Sequence, residues 1–187
     1  MLGSAAAGLK KNTCFPCPEP TLSFVEECVN APLNHNLIAS FAMAKVSTYL
    51  NFTRNTEEAF LFYKSVFRTE FAGPIMRFKD GPGCPGQGPL PEADANLVMH
   101  VALPILGGHL LMGTDSPESM GFKLNQGNNV YINLEPDTRA ETDRLFAALA
   151  ADGKVEMALQ DMFWGSYFGT LTDRFGVRWM FNCDKTS

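Results

Sequence analysis

Two polar pairs are the residues best placed by type and spacing to do chemistry. Tyr49 and Asn51 interrupt the apolar run TYLNF, and Tyr131 and Asn133 interrupt VYINLE in the same way. In an extended chain, positions two apart share a face. Each pair therefore offers a phenol and an amide to one side, while Leu50, Phe52, Ile132 and Leu134 go to the other. If the apolar side lies under a helix, the Tyr and Asn side chains converge on a ligand in a cleft; if not, they point out to solvent. The alternation favours the cleft. His100 and His109 sit in neighbouring strand-like runs, and histidine near neutral pH serves as a general base or a metal ligand. The plainer reading gives one of them a sheet-edge polar contact and leaves the other beside a turn. His100, in mid-strand, is the stronger candidate.

Other candidates are weaker. Phe163-Trp164 precedes a run punctuated by Gly165, Gly169 and Gly176, where it suits either a pocket rim or the core. Glu156 and Asp161 are ordinary solvated carboxylates unless a basic partner meets them. Cys14 and Cys17 have the spacing of a metal or redox pair, but a zinc site needs a second such pair, and the chain lacks one. The five scattered cysteines make a poor disulfide framework and fit a reducing, cytoplasmic setting. A net charge of −5 speaks against nucleic acid as a partner, and no apolar run is long enough to span a membrane.

The elements that must position these residues follow from periodicity. Residues 1–42 collect four prolines without sustained pattern and read as a poorly structured extension, with the domain covering 43–187. Val46–Phe52 is a strand. Asn55, with Glu58 three residues on, forms a capping box for a helix reaching Phe67. Phe71–Phe78, Asn96–Leu103 and His109–Gly113 are strands, and the proline- and glycine-rich residues 80–91 are a loop. The pattern then restarts. Asn129–Glu135 is a strand, Asp137 or Thr138 caps a helix that Gly153 ends, Val155–Leu159 is a short strand, and a hairpin over 167–182 closes the chain.

The letters show the repeat directly, since Tyr49 and Asn51 recur as Tyr131 and Asn133, 82 residues on. Both halves read strand–helix–strand–strand–strand, about 45–115 and 127–183. Neither half can cover its own sheet edge and face. The fold class is therefore α+β: two tandem βαβββ modules forming a cupped mixed sheet, with helices outside and a cleft within.

The segments TYLNFTRNTEEAFLFYKSVF, VMHVALPILGGHLLMGTDSPESMGF, NNVYINLEPDTRAETDRLFAALA and GKVEMALQDMFWGSYFGTLTDRFGVRWMFNC resemble the vicinal oxygen chelate superfamily of glyoxalases, bleomycin-resistance proteins and extradiol dioxygenases. Within it the chain is similar to the PhnB-like branch, which also carries a 3-demethylubiquinone 3-methyltransferase-like label. The resemblance covers Lys45 to Cys183. It implies metal ligands, in metal-dependent members, from the first and last strands of each half. Those places fall here near Thr48 or Tyr49, Met112, Asn129 to Tyr131, and Met180; none is His or Glu, and methionine suits a hard divalent cation poorly. Methyl transfer is disfavoured, because the loop from Gly81 to Gly86 is broken by proline and opens no helix.

The expectation is a small-molecule binding protein of the bleomycin-resistance kind, with no metal and no cofactor. Its ligand would meet Tyr49, Asn51, His100, Met112, Tyr131, Asn133, Phe163 and Trp164. Asp115, Glu118 and Lys123 could border the cleft in family fashion. The alternative is a metal-dependent lyase, isomerase or dioxygenase acting on vicinal oxygens, with His100 the catalytic candidate and a divalent metal left open. Family habit and the exposed edges imply a homodimer.

Overall fold

The computed structural model describes residues 44–81 and 90–184. The reading of residues 1–42, the Cys14–Cys17 pair and most of the 80–91 loop fall outside them. From Ala44 onward the chain is one compact unit.

Two modules of equal design build it. The first runs β1 (Thr48–Phe52), α1 (Thr56–Phe67), β2 (Met76–Arg77), β3 (Val98–Pro104) and β4 (Leu110–Asp115). The second runs β5 (Ile132–Leu134), α2 (Arg139–Ala150), β6 (Lys154–Asp161), β7 (Ser166–Thr172) and β8 (Arg178–Asp184). The sheets have the matching orders β1-β4-β3-β2 and β5-β8-β7-β6. In each, the first strand lies parallel to the last and the remaining neighbours are antiparallel. The mixed sheet is thus two four-stranded quartets, each covered by a helix on one face, and the α+β class holds. Among the described residues, no helix is long and apolar enough to cross a membrane.

The alternation read from the letters places the side chains. Phe52 and Leu134 are buried, Leu50 and Ile132 pack against the core, and Asn51 and Asn133 are exposed on the opposite face. The apolar stripe of α1 buries Ala59, Phe60, Tyr63 and Val66. Phe60 seats directly on the backbone of β4: a Cβ at Gly113 would lie 2.4 Å from its ring.

Three local expectations change. The side chain of Asn55 makes no cap bond. Instead Asp115, read above as a cleft-border residue, is buried beneath the helix. Its Oδ1 accepts from the Thr56 amide at 3.1 Å and hydroxyl at 2.7 Å, and its Oδ2 accepts from the Val98 amide at 2.8 Å. A carboxylate there meets both the free amides and the positive end of the helix dipole, which no local box can do from β4. In α2 the expected local cap forms, with the Thr138 hydroxyl accepting from the Glu141 amide. The strand expected over Phe71–Phe78 shrinks to Met76–Arg77, because Gly73 and Pro74 interrupt a ladder that proline cannot join. The short strand expected at Val155–Leu159 extends to eight residues, with two irregularities in its register to β7.

A buried carboxylate ties the modules together. Asp173, in the β7–β8 turn, is 3% exposed and fully used. Its Oδ1 accepts from the amides of Phe175 and Val177, and its Oδ2 accepts from the Tyr63 hydroxyl at 2.7 Å and the Trp179 indole at 2.8 Å. Burial, and then the Asp173 charge, push the Tyr63 phenol well above its ordinary pKa. Around this point Phe52, Phe62, Tyr63, Phe67, Phe175 and Trp179 pack as one aromatic cluster drawn from both modules. Phe175 and Trp179 of the C-terminal hairpin are therefore an inter-module lock.

Candidate functional site

Each quartet leaves the face away from its helix open, and the two faces carry different chemistry. On the first, Tyr49 of β1 is the register partner of Met112 in β4, and Met112 is that of Ala102 in β3. His100, two residues from Ala102, shares that face. The Tyr49 hydroxyl lies 3.3 Å from His100 Nδ1, and the rings stack with centroids 5.9 Å apart. Partial burial, moderated by the Thr114 hydroxyl, raises the Tyr49 pKa. The Asn51 Oδ1 accepts from the Ser116 hydroxyl at 3.3 Å. His109, just before β4, takes a sheet-edge contact: its Nε2 lies 2.9 Å from the Thr48 hydroxyl. This is the plainer of its two readings.

On the second face an ion pair dominates. Arg178 of β8 bonds both oxygens of Glu156 in β6, at 2.9 and 2.7 Å. It also donates to the Tyr131 hydroxyl and the Asn128 carbonyl, and its guanidinium lies 4.0 Å above the Tyr131 ring. The Tyr131 hydroxyl donates to Glu156 at 2.6 Å and Thr172 does so at 2.8 Å. Arg178 first, then Tyr131, lower the Glu156 pKa to about 2, while the hydrogen bond to Glu156 raises that of Tyr131. Asn133 donates to Glu135 at 2.9 Å. Met180 is the register partner of Asn133.

Glu156 and Arg178 were not among the expected ligand-binding residues. A basic partner was the condition set for Glu156, and the alternation from Met180 back to Arg178 was the signal that could have met it. The link between residues 22 apart on non-adjacent strands was not readable locally.

Between the modules lie two adjoining grooves. One, of about 230 Å³, takes Tyr49 and Asn51 from β1 and Val130, Ile132 and Arg178 from the second module. The other, of about 530 Å³, takes Thr48, Leu106 and His109 from the first module and Tyr131 and Asn133 from the second. Thr48, Val130 and Ile132 line both. The repeat-related pairs thus border neighbouring grooves rather than a single cleft. Phe163, 96% exposed, and Trp164 stand apart in the β6–β7 turn, with Trp164 edge-on to Phe168, and line neither groove.

The donor set does not fit a divalent metal. Across the sheet centres stand Tyr49, Met112, Tyr131 and Met180, and among the described residues no three His, Cys, Asp or Glu side chains converge as ligands.

Comparison with known proteins agrees with this architecture. Protein YjdN of Escherichia coli (strain K12) is 30% identical over 148 residues, spanning 75% of this chain and 95% of its own. Protein PA1353 from Pseudomonas aeruginosa superposes with a TM-score of 0.65 at 34% identity, covering 76% of this chain and 98% of its own. The PhnB protein from Bacillus cereus does so with a TM-score of 0.57 at 30% identity, covering 75% and 99%. The fosfomycin resistance protein FosX of Listeria monocytogenes, 9% identical over 76% of this chain and 91% of its own, shares the fold at a TM-score of 0.51. The family model for 3-demethylubiquinone-9 3-methyltransferase matches residues 44–181, and the chain belongs to that PhnB-like family.

Proposed function

We propose that the protein binds a small, partly apolar molecule along the seam between its modules, without a metal. The observation that carries this is the groove shared by Tyr49 and Asn51 on one side and Val130, Ile132 and Arg178 on the other. An apolar wall with a few fixed polar groups is the usual make-up of a ligand site. Here the phenol of Tyr49 and the amide of Asn51 orient the ligand, and His100 and Met112 support Tyr49 from the same sheet face. Tyr131 and Asn133 extend the site into the adjoining groove. Arg178 enters as half of an ion pair, so it presents a neutralised polar wall. Phe163 and Trp164 are too far along the chain's outer turn to be needed in this arrangement.

A thermal-shift screen of small metabolites and divalent cations on the purified chain tests the reading. The expected result is stabilisation by an organic ligand that is weakened in Tyr49→Ala and unchanged in Trp164→Ala. Tight, stoichiometric Mn²⁺, Zn²⁺ or Ni²⁺ binding would overturn the metal-free reading. Loss of affinity in Trp164→Ala with Tyr49→Ala neutral would move the site to the β6–β7 turn.

The working unit in this proposal is a homodimer. Among the described residues nothing pairs with the outer edge of β6, and Val155 and Met157 on it are exposed, an arrangement that a second copy would cover. Light scattering should then give twice the chain mass; a monomer at micromolar concentration, with a folded spectrum, would exclude it.

A further inference from the structure

A third cavity, of about 570 Å³, opens where the β1–α1 connection meets the β7–β8 turn. We propose that it binds a phosphate monoester carried on an apolar body. The inference is independent of the seam site, although Phe52 and Gln126 line both spaces and form the wall between them.

Two arginines line this cavity and are held in different ways. Arg54 is anchored: it donates to the Asp94 carboxylate at 2.6 Å and to the Ala93 carbonyl at 2.7 Å. Arg174 is not. Its guanidinium lies 4.4 Å from the centre of the Phe62 ring and 5.0 Å from that of Phe175, which holds the plane in place without using its donors. Its ion pair among the described residues is with Asp152, at 3.7 Å, and that carboxylate is 81% exposed. Such a pair contributes little. The side chain is two-thirds covered, and beyond that one long contact its fork keeps donors for an incoming acceptor.

The neighbouring polar groups suit an oxyanion. Asn55, whose side chain makes no capping bond because Asp115 supplies the cap, lines the cavity, as does Thr53. Donors on two separate segments, 53–55 and 174, match a tetrahedral head with three oxygens better than a planar carboxylate seated on one fork. Phe52, Phe175 and Leu124 supply the apolar lining against which the body of the ester would rest. The plain alternative is an arginine that only stacks on aromatic rings. The geometry argues beyond it, because stacking and one long, exposed ion pair leave donors of the guanidinium edge for an acceptor in the cavity.

The test uses the full chain and four probes: phenyl phosphate, inorganic phosphate, benzoate and benzyl alcohol. Calorimetry and backbone amide shifts are read together. Phenyl phosphate should bind saturably, inorganic phosphate more weakly at the same residues, and the other two weakest of all. Shifts should centre on residues 53–55, 126 and 174–176. Arg174→Gln should weaken phenyl phosphate by about tenfold or more, the value of a charge-assisted hydrogen bond. Asn55→Ala, which breaks no capping contact, should weaken it by a smaller factor and serves if Arg174→Gln fails to fold. The proposal is overturned by any of three results: no saturable phenyl phosphate binding, equal binding of benzoate or benzyl alcohol, or shifts confined to Tyr49 and Val130 at the seam. Unchanged affinity in a folded Arg174→Gln would also overturn it.

Discussion

The open faces of the two modules have the same backbone and opposite chemistry. Beneath both, the repeat is faithful: Leu50 and Phe52 correspond to Ile132 and Leu134, and all four pack on the helix side. Above, Tyr49 meets a histidine and a methionine, while its counterpart Tyr131 meets an arginine paired with a glutamate. The register makes the divergence concrete. Met112 in β4 stands opposite Tyr49, and one residue beyond the paired segment of β8, Arg178 stands beside Tyr131. A duplicated scaffold is constrained by its core, where volume changes cost stability. Its solvated face is free to differ, because exposed substitutions cost little. The proposed ligand site accordingly takes its orienting groups from the first face, whereas on the second Arg178, Glu156, Tyr131 and Thr172 satisfy one another.

This contrast can be broken from below or sharpened from above. The largest effects belong to the shared foundation. Phe60→Ala removes a fully buried ring from against Gly113 and should cost about 3–5 kcal/mol in denaturant melts. A loss below about 1 kcal/mol would show that α1 does not carry the first module. Asp173→Ala strands the Tyr63 hydroxyl, the Trp179 indole and two amides, and should cost about 3 kcal/mol or more. Independent melting of the two modules in this variant would confirm the lock; unchanged cooperative unfolding at wild-type stability would refute it.

Smaller effects sit on the faces. The Glu156 pKa is lowered from 4.5 to about 2, so the paired carboxylate adds stability above the higher value and loses it as pH falls through the lower. Glu156→Gln should therefore flatten the acid side of the stability curve between those limits. At a solvated site the difference is at most about 1 kcal/mol. Replacing its partner, in Arg178→Met, should return Glu156 towards the ordinary carboxylate range, as read by carbon-detected titration. No change would mean that Tyr131 and Thr172 alone hold it.

The least stability change is expected from Tyr49→Phe. Its hydroxyl is partly exposed and 3.3 Å from His100, so the loss should be under about 0.5 kcal/mol. Ligand affinity, by contrast, should fall. A stability loss as large as that of Asp173→Ala would turn Tyr49 from a proposed binding group into a structural one and remove the difference between the faces.

Most of the fold was readable because its signals are local. Alternation in TYLNF and VYINLE, the helical stripe through Phe60 and Tyr63, and the glycine turns each lie within a few residues. The errors have a common source. The cap of α1 comes from Asp115, 59 residues away, so no capping box could reveal it. Asp173 lies inside the expected hairpin over 167–182, and nothing near it in the letters signals the bond that reaches 110 residues back to Tyr63. The site was less readable than the fold. Alternation offers Tyr49 and Asn51 as candidates, but their separation from Tyr131 and Asn133 depends on how the quartets meet.

By itself, then, the sequence determined the duplication, the βαβββ order of each half, the helix-side and open-side residues, and the family. All of these follow from periodicity and from letters repeated at a constant offset. Only the tertiary structure decided that Phe175 and Trp179 lock the modules, that Arg178 pairs with Glu156, and that Arg174, among the described residues, keeps only a long ion pair to an exposed carboxylate. The physical reason is that a charge's availability depends on which partners the fold brings within hydrogen-bond reach. The neighbours of Arg174 and Arg178 along the chain do not specify those partners.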